Sequence, residues 1–325
     1  MSTLVIRTLV LAVGLGALLG FPGESRAVPP FVMELVDTTG HVYGASLELD
    51  THRNLHVAYW RVPFEEGIRN LVYAVRRNGE WVFEVVDTTT ALIGAPSLAL
   101  DTRGVAHIAY AEGNHGDIRY GIREEIGWTL ETVDTPGSAS ARPGLDVDEW
   151  HVPHIGSQDG THGFLKYAKK EQGAWSIERV DTSGTVDEEV SLLLDRFGRP
   201  NLAYSQGFGL FYAINTLAAW SIELADTLGY GPSLALDHRG NPHISYWDSS
   251  TYFILRYATR DEDDWQVAEV DTAAFQINGH AIAVDGDGVL HLVWVADSWY
   301  GGIFDGNVLR YGTRRDGLWA VENVG

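Results

Sequence analysis

Two adjacent glutamates and an arginine are the candidates for catalysis in this 325-residue chain. Glu188 and Glu189 stand directly before an apolar stretch, and Arg142 stands directly before a related stretch. Paired carboxylates can perform acid–base chemistry when about 5–10 Å separates them, as in glycoside hydrolysis. Because spacing along the chain does not give that separation, the role of these residues depends on the fold.

Aromatic, charged and amide side chains gather near the ends of apolar stretches. Rings stack on the C–H faces of sugars while carboxylates and amides bond the hydroxyls, so this mixture favours sugar binding. Ordinary loop composition is the competing interpretation. The candidate ligand-binding residues are Tyr43, Trp60, Arg61, His115, Tyr230, Trp247, Asp248, Asn278, His280, Trp299 and Tyr300.

Five histidines at matching positions invite a metal interpretation, but a structural role is favoured. Equivalent positions of a ring-like repeat stand far apart, and buried imidazoles need hydrogen-bond partners. The segment 285–288, Asp-Gly-Asp-Gly, shares only the start of a calcium loop. We therefore predict no cofactor, leave Ca²⁺ as the alternative and assign no metal ligands. The histidines are His56, His107, His154, His243 and His291, with Asn201 in the remaining copy.

The elements that must position these residues are six copies of one unit, of which PSLALDHRGNPHISY at 232–246 is the clearest. A tyrosine and, eight residues later, a tryptophan follow in every copy. Repeats of about 40–50 residues with short strands are typical of β-propellers. The aspartates that align the copies are Asp50, Asp101, Asp148, Asp195, Asp237 and Asp285.

We predict an all-β chain folded as a β-propeller with six four-stranded blades. The predicted blades cover about 45–86, 96–133, 143–180, 190–225, 232–270 and 280–325. Turns between the first and second strands are constant in length, and most have glycine where Arg53 and His151 stand in two copies. Loops between the second and third strands vary, so we expect the ligand on the face that carries them.

Residues 1–27 resemble a signal peptide, with Arg7 before an apolar run and small residues before a cut after Ala27. The single propeller domain then covers 28–325. Residues 31–37 resemble one more outer strand, which we expect to pair with the last blade and cover its edge. Seven blades are the alternative if the chain is a fragment.

The composition narrows the range of possible binding partners. A formal charge of −21 repels phosphate backbones, so nucleic acid is excluded as a partner. The absence of cysteine excludes disulfides and thiolate metal sites. With the signal, this favours a secreted, periplasmic or cell-surface monomer that is not inserted in the membrane after signal removal.

The units PSLALDTRGVAHIAY and PSLALDHRGNPHISY, followed by LRYA and the W-x₄-V-D-T pattern, resemble repeats of secreted bacterial β-propellers of the sialidase-like superfamily. The resemblance implies the propeller architecture. The Asp-box of sialidases, S-x-D-x-G-x-T-W, is absent, and their catalytic residues have no counterparts that we can assign.

Three functions remain open at this point. The first is a non-catalytic, exported module that binds glycan or extracellular protein through the face with variable loops, and the lack of a recognisable catalytic set favours it. The second is a glycan-active hydrolase or lyase with acidic residues in the axial funnel. The third is a scaffold within a larger surface protein. The fold cannot choose among them.

Overall fold

The computed structural model shows six four-stranded antiparallel sheets arranged as the blades of a β-propeller. It describes residues 10–12 and 33–324, except 65–66, 90–93, 113–115, 136–141, 217–218, 251–253, 262–263, 273–276, 301–302 and 316. The apolar core is divided into clusters, several of which join neighbouring blades. The predicted fold class is therefore confirmed.

Each blade is a meander of four consecutive strands, numbered from the innermost to the outermost. A short two-stranded sheet precedes the blades, with β1 (Val10–Ala12) and β2 (Met33–Leu35). Blade 1 contains β3 (Gly40–Leu49), β4 (Leu55–Pro63), β5 (Arg69–Arg77) and β6 (Glu80–Thr89). Blade 2 contains β7 (Ser97–Leu100), β8 (Ala106–Glu112), β9 (Asp117–Glu124) and β10 (Gly127–Asp134). Blade 3 contains β11 (Gly144–Val147), β12 (Pro153–Gln158), β13 (Leu165–Glu171) and β14 (Ala174–Asp181).

The remaining blades follow the same order. Blade 4 contains β15 (Val186–Leu194), β16 (Pro200–Gln206), β17 (Gly209–Asn215) and β18 (Trp220–Asp226). Blade 5 contains β19 (Tyr230–Leu236), β20 (Pro242–Trp247), β21 (Ile254–Asp261) and β22 (Asp264–Thr272). Blade 6 contains β23 (Ile277–Val284), β24 (Leu290–Tyr300), β25 (Ile303–Arg315) and β26 (Leu318–Asn323). The meander places the constant turns on one face, here called the turn face, and the variable loops on the opposite loop face.

An aspartate organises the turn between the first two strands of every blade. In blade 2, Asp101 Oδ1 accepts two backbone N–H bonds, each 2.9 Å long. Gly104 completes this turn at a φ of 77°, a left-handed conformation that glycine adopts without strain. Arg53 and His151 have φ values of 64° and 66° at the same position, so two turns carry strain at a non-glycine residue.

The recurrent histidines form hydrogen-bond networks inside the blades. In blade 1, His56 Nδ1 lies 2.5 Å from the hydroxyl of Tyr73, and Nε2 lies 3.5 Å from Asp50 Oδ2. In blade 4 the hydroxyl of Tyr212 donates to Asn201 Oδ1 instead. The predicted structural role of this position is confirmed. The corresponding pairs are His107–Tyr120, His154–Tyr167, His243–Tyr257 and His291–Tyr311.

Two recurrent hydrogen bonds join consecutive blades. Ser97 Oγ on one inner strand accepts from the backbone N–H of Leu145 on the next, at 3.1 Å. Glu84 Oε2 on one outer strand accepts from Nε1 of Trp128 in the next blade, also at 3.1 Å. Further serine links are Ser46–Leu98, Ser191–Leu234 and Ser233–Ile282. Further glutamate links are Glu131–Trp175, Glu178–Trp220 and Glu223–Trp265.

At four of the five junctions, a third link joins the end of the outer strand to the second strand of the next blade. The hydroxyl of Tyr110 donates to Asp87 Oδ2 at 2.6 Å. The pairing of β5 with β6 shifts register between Leu71 and Val72, and such a bulge can re-aim a nearby side chain. The equivalent pairs are Asp181–Tyr204, Asp226–Tyr246 and Asp271–Trp294.

The segment that begins at β2 makes these same contacts with blade 1. Trp81 Nε1 donates to Glu34 Oε1 at 3.0 Å, and the hydroxyl of Tyr59 donates to Asp37 Oδ2 at 2.7 Å. β2 itself pairs antiparallel with β1. The described residues therefore do not show the predicted pairing of residues 31–37 with the last blade.

The junction between blades 6 and 1 differs from the other five. Inner strands of consecutive blades pack together from blade 1 to blade 6, but β23 and β3 make no comparable contact within the described ranges. Ala283 on β23 is exposed, whereas its counterparts Ala99 and Ala235 are buried. Ala281 stands where four other blades have the linking serine, so its side chain cannot accept the hydrogen bond.

Candidate functional site

Two aromatic side chains of blade 5 lie together on the loop face. Tyr230 opens the inner strand β19, and Trp247 closes the second strand β20, where the two residues are register partners. Their ring centroids are 6.0 Å apart with an interplanar angle of 32°. Both residues are half-buried, so each keeps part of its surface accessible to solvent. The meander brings them together because β19 begins and β20 ends on the same face.

A charged pair joins blade 3 to blade 4 beside these rings. The backbone N–H of Arg142 donates to the carbonyl of Glu188, and the carbonyl of Arg142 accepts from the N–H of Val190 at 3.1 Å. The side chain of Arg142 donates from Nη1 to Glu189 Oε2 at 3.2 Å. Arg142 is half-exposed, so its guanidinium keeps donors available to solvent.

His280 of blade 6 completes the cluster on the other side of Trp247. Its Nδ1 lies 2.8 Å from Ser245 Oγ, and its ring packs edge-on against Trp247 at 5.7 Å. Burial lowers the pKa of His280 to about 4, although a hydrogen bond with the backbone of Gly231 opposes the shift. The imidazole is therefore neutral near pH 7 and helps to hold Trp247 in place.

Three consecutive acidic residues give this cluster its charge. Burial raises the pKa of Tyr230, and the negative charges of Asp187, Glu188 and Glu189 add to the shift. Burial also raises the pKa of Glu189, against the opposing effect of Arg142. The cluster thus offers carboxylate acceptors, guanidinium donors and two partly exposed rings within blades 3 to 6. Here we call Arg142, Glu189, Tyr230, Trp247 and His280 the loop-face cluster.

Some predicted ligand-binding residues are occupied in the core or in ion pairs. Trp60 is 0% exposed and packs edge-on against Tyr110 of the next blade, with centroids 5.8 Å apart. A fully covered ring cannot stack on a ligand, so the prediction for Trp60 is corrected. Arg61 Nη1 bonds Asp37 Oδ2 at 3.2 Å and so ties blade 1 to the segment before it.

Asp248 is also a structural residue. It is buried and accepts from Arg256 Nη2 at 2.9 Å and from the backbone N–H of Ser250. These bonds keep the pKa of Asp248 below its ordinary value although burial alone would raise it. Because they are internal to blade 5, the carboxylate is not free to bind a ligand, and this prediction is corrected too.

The other predicted residues have different outcomes. Tyr43 in blade 1 is 46% exposed and is the register partner of Trp60. His115 lies outside the described residues. The backbone places Asn278 in β23 and both Trp299 and Tyr300 in β24, but their side chains lie outside the description.

Three further residues contribute to the site and were not predicted from the sequence. Ser245 supports His280 from the second strand, and Asp187 contributes charge near Tyr230. Gly231 has a φ of 59°, and a Cβ there would lie 3.2 Å from Glu189 Oε2. Its place directly after Tyr230 was the available signal, because a glycine inside a strand marks a bulge or a close approach.

The described part of the chain contains no group of three or more His, Asp or Glu side chains arranged to hold a metal ion. Asp285, in the calcium-like segment, accepts backbone N–H bonds from Asp287 and Val289, like the other turn aspartates. Among the described residues, no helix is long and apolar enough to cross a membrane.

No protein-family model matches this chain, and no curated protein matches it. Similar solved structures include the fucose-specific lectin from Aleuria aurantia, with a TM-score of 0.58 and 12% identity over 88% of this chain and 95% of that chain. The intramolecular trans-sialidase from Ruminococcus gnavus has a TM-score of 0.54 and 11% identity over 85% of this chain and 95% of that one. The α-L-arabinanase from Penicillium chrysogenum has a TM-score of 0.54 and 12% identity over 87% and 93%. At such identities these likenesses show the fold alone.

Proposed function

We propose that this protein is an exported, non-catalytic recognition module that binds a glycan through its loop face. The observation that carries the proposal is the loop-face cluster, in which two partly exposed rings lie beside an Arg–Glu pair. A sugar ring presents apolar C–H faces and polar hydroxyls at once, and this mixture of groups suits both. Lectins and glycosidases among similar folds support the ligand class.

The charge of the cluster favours a neutral glycan. Arg142 is already paired with Glu189 at 3.2 Å, and two further carboxylates lie near Tyr230. An acidic sugar would meet net negative charge there, whereas hydroxyl groups can donate to the carboxylates and accept from the guanidinium.

Glycan-array binding followed by titration calorimetry tests this proposal. Tyr230→Ala and Arg142→Ala should each weaken the affinity for the best array ligand at least about tenfold, since one lost contact of about 1.4 kcal/mol has that effect. Trp150→Ala is the matched control, because Trp150 is a 68% exposed aromatic residue in the turn-face loop of blade 3. Binding that survives both loop-face changes and fails with Trp150→Ala would overturn the site.

A glycan-active enzyme is the second candidate, and one observation favours it. Burial raises the pKa of Glu189, as a general acid requires, and Glu188 is adjacent. The direct bond from Arg142 argues against a free proton donor at this position. Hydrolysis of an array ligand by the protein, abolished in Glu189→Gln with binding retained, would replace the first proposal with this one.

A further inference from the structure

The links between blades are directional, because the acceptor lies on one blade and the donors lie on the next. At one position in the ring the matching blade is absent from the described residues. Each blade except blade 5 offers a glutamate on its outer strand, and the next blade supplies a tryptophan and usually a basic residue to it. Glu84, for example, accepts from Trp128 Nε1 and from Arg123 of blade 2, whose Nη2 is 2.8 Å away. Blade 1 receives the same contacts from Glu34, which bonds Trp81 and pairs with Arg76 at 3.2 Å. The segment at β2 therefore acts as the outer strand of a blade that would precede blade 1.

Blade 6 carries the acceptor side of the same kind of inter-blade interface. Glu322 on β26 stands opposite Tyr311 in register, as Glu84 stands opposite Tyr73. Glu322 is exposed and makes no hydrogen bond or ion pair with any described residue. Ala283 on the inner strand is exposed as well, where Ala99 and Ala235 are covered by the next blade. Blade 6 thus presents an inter-blade surface without its successor.

The partner of β2 completes the pattern. In each blade the outer strand pairs antiparallel with the third strand. β2 pairs antiparallel with β1, with Glu34 opposite Leu11. β1 therefore stands where the third strand of such a blade would stand. β1 also falls within the predicted signal peptide, so this edge of β2 becomes open if that segment is removed.

We propose that the exposed flank of blade 6 and the edge of β2 form a docking surface for one further blade-type sheet, which takes β2 as its outer strand. The occupant is a partner sheet of three short apolar strands that carries the pattern of this repeat. Its third strand carries the tyrosine and, three residues later, the basic residue of this repeat. That basic residue meets Glu322, which makes the contact complementary in charge.

A second copy of this chain does not suit the surface. The flank of blade 1 is already covered by Glu34 and Asp37, so only the flank of blade 6 would be free to meet it. A sheet with the pattern of the repeat covers the flank of blade 6 and the edge of β2 at once.

A disulfide test on the full chain examines whether blades 6 and 1 are apart. The protein has no cysteine, so each engineered pair reports alone. Ser233→Cys with Ile282→Cys is the matched control, because Ser233 Oγ lies 3.3 Å from the N–H of Ile282 across the junction of blades 5 and 6. Ala281→Cys with Leu47→Cys is the equivalent pair at the open junction. We expect oxidation to cross-link the control pair and to leave the second pair reduced.

A chain that begins at residue 28 and is extended after residue 325 by a copy of residues 88–126 tests the occupant. These residues contain the first three strands of blade 2 and end before its outer strand. The melting temperature should rise by about 5 °C or more as the flank of blade 6 and the edge of β2 become covered. The same extension with aspartate and serine at the counterparts of Ile118 and Tyr120 should give no rise. Glu322→Ala should reduce the rise in the extended chain and leave the melting temperature of the shorter chain unchanged.

Three results would overturn the proposal. Cross-linking of the pair at residues 47 and 281 would show that blades 6 and 1 already touch. An unchanged melting temperature after extension would show that the surface does not accept a blade. A dimer of the unextended chain in light scattering, lost in Glu322→Ala, would make a second copy the occupant.

Discussion

At the scale of single residues, the histidine column shows how a metal-like pattern can be structural. His107 is 0% exposed, and its Nδ1 lies 2.5 Å from the hydroxyl of Tyr120. Burial lowers the pKa of His107 to about 4, so the ring is neutral at physiological pH. A neutral imidazole bonded to a phenol inside a sheet serves packing and hydrogen bonding rather than catalysis.

The histidine of blade 2 can be tested against the asparagine of blade 4. His107→Ala should lower the free energy of unfolding by about 2–3 kcal/mol, because it leaves the buried Tyr120 hydroxyl without its partner. His107→Asn should cost less, since Asn201 accepts from Tyr212 in the equivalent place. Urea denaturation measures both. An equal loss for the two variants would contradict this role.

Trp60 and Trp247 show that the burial of a single side chain could not be predicted from the sequence. Both follow the second-strand aromatic residue of their blades, and the sequence analysis gave them the same role. Tyr110 of the next blade covers Trp60, whereas Trp247 packs on Tyr230 and His280 and stays only half-buried. Which neighbour covers a ring depends on how two blades pack, and spacing within one repeat does not contain that information.

At the scale of strands and sheets, more of the structure could be predicted from the sequence than at the scale of single side chains. The period-two patterns and the aspartate turns located the four strands of every blade. The bulges near Asp87 and its counterparts were not predicted, because a register shift depends on the partner strand. These bulges precede the aspartates that bond the next blade, so the unpredicted part is what joins one sheet to the next.

Blade 5 lacks one inter-blade link, and restoring it should stabilise the protein. Ala268 stands opposite Tyr257, where other blades have the linking glutamate, and the buried Nε1 of Trp319 has no hydrogen-bond partner among the described residues. Ala268→Glu would offer an acceptor to Trp319 and to Arg314. We expect a gain of about 1 kcal/mol in the free energy of unfolding.

Ala268→Leu is the control for this change, since it adds a side chain of similar size without an acceptor. Thermal and urea unfolding should separate the two variants. An equal effect of both would show that the glutamate links contribute packing rather than hydrogen bonds.

At the scale of the whole molecule, the inner strands of blades 1 and 3 each carry an acidic residue whose pKa is raised by burial. Burial raises the pKa of Glu48 to about 7, and the negative charge of Asp146 adds to the shift. Burial likewise raises the pKa of Asp146 to about 6. A carboxyl whose pKa is raised by folding opposes folding when it ionises, so its cost is full above pH 7 and vanishes below its unfolded value of 4.5.

Glu48→Gln should therefore stabilise the protein at alkaline pH and not at acid pH. We expect a gain of at least about 1 kcal/mol in the free energy of unfolding at pH 8, since each unit of the rise in pKa from 4.5 to about 7 corresponds to about 1.4 kcal/mol. The gain should be absent at pH 4. Glu149→Gln, at an exposed residue, is the control and should show no such dependence. A gain from Glu48→Gln that is equal at both pH values would contradict the assignment.

The division of donors and acceptors between neighbouring blades has a consequence for how such a chain can change during evolution. Every unit except blade 5 carries the glutamate that its successor needs, and each unit carries the tryptophan that its predecessor needs, as Glu131 and Trp128 do in blade 2. When a whole unit is duplicated or deleted in frame, the units on either side of it therefore still have matching surfaces. The number of units can vary by gene duplication or deletion without any new interface chemistry.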